Sequence, residues 1–274
     1  MGERFFILGC QRTGTTLLRL ILEAHPDVFC FDELKGYAVL QNSLVEDAPP
    51  ARMIGFKLPR WTEQLTLPEL FDDPVGPCAN FYRGEKILFL HRDVRDTIAS
   101  MLKLGGPGSS WCETWVPRTV EAKLAHDDTF RARYSAELDM IESCDRSLIG
   151  LAALYWRYKT DSFFLYRNLG LPVLAVPYER LVLDPRPTLQ VVCAHLGIPF
   201  HEHLMRHGEL QHTELLANGL AVGKTDPTKP IHSDSVGQWV TFLSEQEAEL
   251  AVRISGDVSA RIAAFSRSDF SPAR

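Results

Sequence analysis

The sequence predicts an α/β protein in which a central parallel β-sheet is flanked by helices on both faces. Short apolar runs stand at residues 5–8, 53–57, 86–90 and 173–176, and a segment of helical character follows each of them. Strands buried on both faces read as continuous apolar runs, whereas half-solvated strands alternate with polar residues. The chain of 274 residues is also near the upper size that one hydrophobic core supports. We therefore expect a single domain over residues 1–274.

The first strand leads into a turn that has the spacing of a phosphate-binding loop. It reads GCQRTGTT over residues 9–16 and precedes an apolar helix of residues 15–24. Backbone amides of such a loop, together with the following helix N-terminus, surround an anion. The nucleotide-kinase form carries Lys after the second glycine. Here Thr15 takes that position and the cation is Arg12, which moves the positive charge to another part of the ligand.

The third and fourth strands are separated by a long segment. A helix over residues 94–104 is followed by a break rich in Gly, Pro and Ser at 105–110 and by charged residues with interspersed aromatics. We expect residues 105–146 to form a helical insertion, before a long helix from about 147 to 169. The aromatic residues of this insertion either cover a substrate pocket or pack on the core: Trp111, Trp115, Phe130 and Tyr134.

The last third of the chain contains a predicted loop and a helix start. Residues 201–235 are rich in His, Gly, Thr and Pro and show weak periodicity, which favours a long functional loop. Helices are predicted to resume after Ser244, which forms a capping box with Glu247.

Composition excludes several classes of function. Lys and Arg total 29 against 35 Asp and Glu, a formal charge of −6, which argues against broad binding to nucleic acid or anionic membranes. No apolar run reaches the roughly 18 residues of a membrane span, and the N-terminal run is too short for a signal peptide. Six cysteines occur without a CxxC pair or clustered Cys and His, which indicates reduced thiols and no metal site. We expect a cytoplasmic protein.

Four segments carry a resemblance in chain order. They are RTGTTLL at 12–18, KILFLHRDVRDTIAS at 86–100, PYERLVLDP at 177–185 and HSDSVGQW at 232–239. Together they resemble the motifs of sulfotransferases that use 3′-phosphoadenosine 5′-phosphosulfate (PAPS). The resemblance implies the sulfotransferase fold, a P-loop-like parallel sheet flanked by helices. It also implies that residues 205–239 close over the bound PAPS.

The resemblance assigns cofactor-binding residues to each segment. The first loop binds the 5′-phosphosulfate, Arg92 and Ser100 bind the 3′-phosphate, Tyr178 contacts the adenine, and Ser235 and Gly237 belong to the closing segment. The loop residues are Arg12, Thr13, Gly14, Thr15 and Thr16. Two separated anion sites suit PAPS and its product, adenosine 3′,5′-bisphosphate (PAP).

One part of the family pattern is missing. The cytosolic branch has an Arg-Lys-Gly run before the closing Gly and Trp, whereas this chain has His-Ser-Asp at 232–234. Lys224 or Lys229 of the preceding loop are candidates to replace it.

The catalytic residues implied by the resemblance are Arg12, Glu33 and Lys57, with no metal. Many cytosolic members have a His two residues after the Lys, and Pro59 stands there in this chain. Glu33 instead resembles the base of the tyrosylprotein sulfotransferase branch. Arg12 and Lys57 then stabilise the transferring sulfuryl group and the leaving phosphate.

Plainer interpretations of these residues stay open at the level of sequence. Arg92 has two possible surface partners, Asp93 and Asp96. Lys57 has the position of a solvent-facing residue at a strand end, and Glu33 that of a solvated acidic turn. Core packing is an alternative for Tyr178, and an ordinary helix face is one for Ser100.

The predicted function is PAPS-dependent sulfuryl transfer by in-line displacement to a hydroxyl of an alcohol, phenol or sugar, the EC 2.8.2 class. The expected partner is a small-molecule or glycoside acceptor, with no nucleic acid and no membrane. Two alternatives are a P-loop small-molecule kinase, disfavoured by Thr15, and a non-catalytic module that binds PAP. The sequence does not indicate the acceptor or the oligomeric state.

Overall fold

The computed structural model describes residues 2–40, 50–63, 85–105 and 110–266. Its described residues contain a five-stranded sheet in the order β2-β3-β1-β4-β5, and all neighbouring strands are parallel. The strands are β1 (Glu3–Gly9), β2 (Val28–Phe31), β3 (Met53–Lys57), β4 (Lys86–His91) and β5 (Val173–Pro177). The predicted α/β fold class with a central parallel sheet is confirmed.

The described residues also form helices. They are α1 (Thr15–Glu23), α2 (Glu33–Leu40), α3 (Val94–Lys103), α4 (Trp111–His126), α5 (Asp128–Arg133), α6 (Ser135–Ser143), α7 (Leu148–Asn168), α8 (Tyr178–Leu183), α9 (Pro185–Leu196), α10 (Glu245–Ser255) and α11 (Val258–Ser266). Short 3₁₀ segments stand at Pro59–Trp61, Glu202–Glu209 and Gln238–Thr241. The predicted capping box of Ser244 and Glu247 begins α10.

Both faces of the sheet are covered, which explains its uninterrupted apolar strands. On one face, strand residues such as Ile7 and Leu88 pack against apolar residues of α1 and α9. On the other face, Phe89 contacts Phe163 of α7, with ring centroids 5.5 Å apart. Burial on both sides removes apolar area from water at about 25 cal/mol per Å², so polar residues at these positions are disfavoured.

One strand was missed by the sequence analysis. β2 has only four residues and lies at the sheet edge, where Val28 pairs with Met53 and Phe31 with Phe56. The segment is too short to show a periodicity of its own, and its strand character comes from pairing with β3. It places Asp32 and Glu33 at the end of a strand.

The chain divides into two compact units. The first comprises residues 1–91, 161–233 and 261–274, and the second comprises residues 92–160 and 234–260. The whole sheet belongs to the first unit. The single domain over residues 1–274, with its insertion at 105–146, stays a prediction, and residues 106–109 of the predicted break lie outside the described residues.

The predicted insertion contributes several helices to the second unit. Phe130 and Tyr134 are buried at 6% and 4% exposure, and Phe130 packs on Tyr158 at 5.3 Å between ring centroids. These two rings therefore form core of the second unit. Trp111 and Trp115 are half-buried and stack on one another at 6.4 Å. No helix among the described residues has the length and apolar character needed to cross a membrane.

Candidate functional site

The predicted functional residues of the first unit follow the carboxyl ends of its strands. Gly9 ends β1, Lys57 ends β3, Glu33 comes two residues after β2, and Tyr178 comes directly after β5. In a parallel sheet the carboxyl ends of the strands meet at one edge, where ligands bind in open α/β folds. The sheet order therefore gathers residues that are far apart in the chain.

The loop between β1 and α1 depends on two glycines. Gly9 and Gly14 adopt positive φ values of 132° and 98°, which favour glycine. A Cβ at Gly9 would lie 2.2 Å from the carbonyl oxygen of Leu90, and one at Gly14 would lie 2.4 Å from Cδ2 of Tyr178. The loop thus touches β4 on one side and the Tyr178 ring on the other.

Hydroxyl groups hold the shape of this loop. Thr13 is buried and its Oγ1 donates to the carbonyl oxygen of Cys10 at 2.7 Å. Thr62 Oγ1 accepts a hydrogen bond from Gly9 N at 3.1 Å and donates to Gly9 O at 2.8 Å. Tyr166 in turn donates to the Thr62 carbonyl at 2.5 Å. Thr62 was not found from the sequence, since nothing in its local pattern marks it as a partner of Gly9.

A turn within residues 201–235 contacts the loop between β1 and α1. Ala221 and Thr225 form an antiparallel bridge. Arg12 Nη1 donates to the carbonyl oxygen of Gly223 at 2.9 Å, and Thr16 Oγ1 donates to that of Val222 at 3.3 Å. The backbone carbonyls of Val222 and Gly223 thus accept hydrogen bonds from the loop between β1 and α1. In this region the sequence analysis had named only Lys224 and Lys229, as candidates to bind a ligand.

Lys57 is buried and paired with a carboxylate. Its exposure is 1%, and its Nζ lies 2.6 Å from Asp32 Oδ1 and donates to Thr16 Oγ1 at 3.2 Å. The solvent-facing interpretation of Lys57 is therefore wrong. An ammonium group has three N–H donors, and the described residues use two of them.

The carboxylate of Asp32 faces the positive charges of Lys57 and Arg19. Burial on its own raises the pKa of Asp32, but the ammonium of Lys57 and the guanidinium of Arg19 outweigh burial and hold the pKa below its ordinary value. Arg19 is fully buried, with Nε 3.9 Å from Asp32 Oδ2. Neither Asp32 nor Arg19 was predicted as a site residue.

Glu33 begins α2 and is 6% exposed. Its Oε1 accepts a hydrogen bond from Arg60 N at 2.8 Å, and its own N–H donates to Asp32 Oδ1 at 2.6 Å. None of the described residues donates to Oε2, so one carboxylate oxygen is held and the other is available. The solvated-turn interpretation of Glu33 is wrong as well.

Glu214 fixes the turn before Glu33 from a distant part of the chain. Its Oε2 accepts from Asp32 N at 2.7 Å, and its Oε1 lies 3.1 Å from Lys35 Nζ. The residue adopts a left-handed φ of 55°. It lies 182 residues from Asp32 along the chain, and no local pattern could have revealed the contact.

The second unit brings Arg92 and Ser235 together. Arg92 is buried and donates from Nη2 to the Ser235 carbonyl oxygen. Ser100 is buried on α3. Asp93, one of the candidate surface partners of Arg92, caps α3 and pairs with Arg95 at 2.7 Å.

Asp96 is a further residue that the sequence analysis did not assign. It accepts from Gly237 N at 2.7 Å through Oδ2 and from Trp239 N at 3.0 Å through Oδ1. The segment containing Gly237 is thereby attached to α3.

His91 and Arg92 stand next to one another at the end of β4 but differ in charge. His91 is buried, and desolvation lowers its pKa to about 4. The imidazole is therefore neutral near pH 7, and Arg92 supplies the positive charge at this position. Among the described residues no group of His, Cys, Asp and Glu has a metal-binding arrangement.

Comparison with known proteins finds similarity to sulfotransferases. The model of a sulfotransferase family matches residues 4–61. A putative protein-tyrosine sulfotransferase of Caenorhabditis briggsae is 22% identical over 89% of this chain and 82% of its own length. Protein-tyrosine sulfotransferase 1 of Danio rerio is 23% identical over 86% of this chain and 65% of its own length. The chain thus spans less than two thirds of the zebrafish protein.

Solved structures share the fold. A sulfotransferase domain from the curacin biosynthetic pathway superposes with a TM-score of 0.59 at 18% identity, covering 94% of this chain and 98% of that domain. A mouse sulfotransferase complexed with PAP superposes with a TM-score of 0.51 at 17% identity, covering 96% of this chain and 89% of the mouse chain.

Proposed function

We propose that this chain, which is related to the sulfotransferase family, transfers the sulfuryl group of PAPS to a hydroxyl acceptor with Glu33 as general base. The observation that carries the proposal is a continuous set of contacts at the strand ends. Lys57 bonds both Thr16 of the phosphate-binding loop and Asp32, whose carboxylate also accepts the N–H of Glu33. A cation, an anion-binding loop and a buried carboxylate are thus held together.

The donors of the first unit fit an anionic group such as a phosphosulfate. The loop offers backbone amides at a helix N-terminus, and Arg12 and Lys57 supply two cations. PAPS, when bound, supplies an activated sulfuryl group on a phosphate leaving group. We assign Arg12 and the loop residues 13–16 to the sulfuryl and phosphate oxygens, and the remaining N–H of Lys57 to the bridging oxygen.

Glu33 has the properties required of a base for a hydroxyl. The Arg60 amide holds Oε1, which leaves Oε2 to accept the proton from the acceptor. A carboxylate is a weak base for an alcohol, so the proton moves late, as the acceptor oxygen bonds to sulfur and the bond from sulfur to the phosphate oxygen breaks. The products are the sulfate ester, PAP and a protonated Glu33, which returns its proton to water.

The second unit supplies the groups assigned to the 3′-phosphate. Arg92 and Ser100 provide a charged donor and a hydroxyl, and the contact of Arg92 with Ser235 keeps the closing segment next to the guanidinium. Asp96 is a positioning residue, because it holds the amides of Gly237 and Trp239. Tyr178, packed on Gly14, is assigned to the adenine.

Calorimetric titration with PAP in the presence of EDTA tests the proposal, with ATP and magnesium as the comparison. We expect PAP to bind without metal, and Arg92→Ala to weaken binding by about tenfold or more, because it removes a charged hydrogen bond worth about 1.5–3 kcal/mol. Arg131→Ala, at an exposed position of α5, is the matched control. Preference for ATP with magnesium would favour the kinase alternative and contradict the proposal.

A further inference from the structure

A tight turn over residues 221–225 faces Arg12 of the loop between β1 and α1. Arg12 Nη1 donates to the carbonyl oxygen of Gly223 at 2.9 Å. A Cβ at Gly223 would lie 2.5 Å from that same Nη1 atom. The guanidinium therefore occupies the space that a side chain at position 223 would need. We call residues 221–225 the carbonyl turn.

The carbonyl turn is held in place by contacts that do not involve Arg12. Ala221 is fully buried, and its N–H donates to the Thr225 carbonyl oxygen at 2.8 Å. Earlier in the same segment, Thr213 N donates at 3.1 Å to Oε1 of Glu23, the last residue of α1. The turn is thus a fixed partner for the long and flexible side chain of Arg12.

Strained backbone lies on both sides of this contact. Arg12 and Lys224 are non-glycine residues with left-handed φ values of 73° and 60°. Each such residue costs about 1–2 kcal/mol, and strain of this kind persists where the surrounding structure imposes it. The hydrogen bond from Arg12 to Gly223 joins these two strained segments, so the fold imposes the position of the guanidinium.

A second carbonyl of the turn reaches Lys57 through a hydroxyl. Thr16 Oγ1 donates to the carbonyl oxygen of Val222 at 3.3 Å and accepts from Lys57 Nζ at 3.2 Å. Adjacent carbonyls of one turn therefore contact Arg12 directly and Lys57 through Thr16. The two cations assigned to the phosphosulfate are thus connected to the same backbone segment.

We propose that the carbonyl turn orients the Arg12 guanidinium for the 5′ end of PAPS, with Gly223 as a positioning residue. This inference rests on the proposed function, in which Arg12 binds the sulfuryl and phosphate oxygens. A guanidinium carries five N–H donors in a rigid, planar fork. A carbonyl bonded to one donor therefore restricts the directions of the others, and hydrogen bonds weaken steeply when they are misaligned.

Two glycines of the same segment give a matched pair of variants. Gly223 and Gly219 have nearly equal φ values of 82° and 77°, so alanine brings similar backbone strain at both positions. A Cβ at Gly219 would meet no described residue within 4 Å, whereas one at Gly223 would meet the end of the Arg12 side chain. Because that end is flexible, Gly223→Ala should move the guanidinium and preserve the fold.

Calorimetric titration with two nucleotides measures the effect. PAP carries a 5′-phosphate, which adenosine 3′-monophosphate lacks. Gly223→Ala should weaken PAP binding about tenfold, the lower end of the range for a charged hydrogen bond. It should leave the affinity for adenosine 3′-monophosphate within about twofold. Gly219→Ala should leave the affinities for both nucleotides within about twofold of those of the parent chain.

The same substitutions in an Arg12→Ala background show whether Arg12 carries the effect. Arg12→Ala removes the atom that the new Cβ would meet. Gly223→Ala should therefore cause no further loss of PAP affinity in this background. Urea unfolding should also give the two alanine variants at 223 and 219 similar midpoints there, even if Gly223→Ala unfolds more easily in the parent chain.

Several outcomes would overturn the inference while the proposed function stands. A purely structural role of Gly223 predicts equal losses for the two nucleotides, or a loss of PAP affinity that persists in the Arg12→Ala background. Equal PAP affinity of Gly223→Ala and Gly219→Ala would show that the turn does not orient Arg12. Tighter PAP binding by Gly223→Ala would show that the carbonyl competes with the ligand for the guanidinium.

The parent chain itself tests the premise of the inference. If it binds PAP no more tightly than adenosine 3′-monophosphate, the loop between β1 and α1 does not bind the 5′-phosphate. The proposed function then fails, and this inference fails with it.

Discussion

Asp32 and Glu33 are adjacent and both buried, yet their side chains meet different charges. Asp32 faces the ammonium of Lys57 and the guanidinium of Arg19, which keep it ionised. Glu33 Oε1 meets a single backbone N–H, that of Arg60. Asp32 thus holds the cation Lys57, and Glu33 is the carboxylate that we propose as the base.

Replacing the proposed base tests this division of roles. Glu33→Gln keeps the shape and the hydrogen bond from Arg60 N but removes the proton acceptor. We expect kcat for sulfuryl transfer to fall at least about 100-fold, the lower end of a general base contribution, with PAP affinity within about twofold. Glu249→Gln, at an exposed position of α10, serves as the control. An unchanged kcat in the Gln variant would remove Glu33 from the mechanism.

The Asp32 and Lys57 pair makes stability depend on pH. Because the pKa of Asp32 is lowered in the folded state, its ionised form contributes stability above the ordinary Asp pKa of about 3.9, and the contribution is lost as pH falls through the lower folded value. Asp32→Asn should cost about 3 kcal/mol at pH 7, since it leaves Lys57 buried without a counter-charge.

Urea unfolding at pH 7 and pH 3 measures this effect. The free-energy difference between the parent chain and Asp32→Asn should shrink at the lower pH. Asp128 has an exposed side chain on α5. Its variant Asp128→Asn should differ little from the parent chain in free energy of unfolding at both pH values. A difference between parent and Asp32→Asn that is equal at the two pH values would refute the charge pairing.

At the scale of the element, the loop between β1 and α1 is shaped by close approach as well as by backbone conformation. Gly14 has a positive φ and lies against Tyr178, whereas Gly170 has a positive φ of 73° and nothing within 4 Å of an added Cβ. Substitutions at these two glycines therefore distinguish the free-energy cost of a left-handed backbone from the cost of a steric clash.

We expect the two alanine variants to differ in stability and in ligand binding. Gly170→Ala should cost about 1–2 kcal/mol from backbone strain alone and leave PAP affinity unchanged. Gly14→Ala should cost about 1–3 kcal/mol more, because the Cβ displaces the Tyr178 ring, and should weaken PAP binding. Urea unfolding and calorimetric titration measure both effects. Equal behaviour of the two variants would show that contact with Tyr178 does not shape the loop.

At the scale of the whole molecule, the chain is acidic, yet its proposed ligand-binding positions include three cations. The formal charge is −6, while Arg12, Lys57 and Arg92 lie in or beside the strand ends and the two latter residues are buried. A ligand that binds only the folded chain stabilises it by mass action. Ligand binding is therefore measurable as stability without any knowledge of the acceptor.

Thermal unfolding with different nucleotides uses this linkage. In EDTA, PAP at 100 times its Kd should raise the free energy of unfolding by about 2.7 kcal/mol and raise Tm accordingly. ATP with magnesium at the same concentration should raise Tm less. A larger shift with ATP and magnesium than with PAP would contradict the assignment of the phosphate-binding loop.

The local features of the site were predictable from sequence. The spacing of Gly9, Arg12 and Gly14 between an apolar run and a helix indicated the loop, because strand, turn and helix each depend on neighbours in the chain. The burial of Lys57 and Glu33 was left open, since a strand-end Lys and an acidic dipeptide are common on surfaces.

The sequence by itself determined the parallel sheet, the loop with its two glycines and the helix start at Ser244. Only the tertiary structure decided that β2 is a strand, that Thr62 bonds Gly9, that Asp32 pairs with Lys57 and that Glu214 holds the Asp32 amide. The physical reason is the range of the interactions. Hydrophobic periodicity and turn chemistry act between neighbouring residues, whereas a buried ion pair forms only when strand order brings distant carboxyl ends to one edge of the sheet.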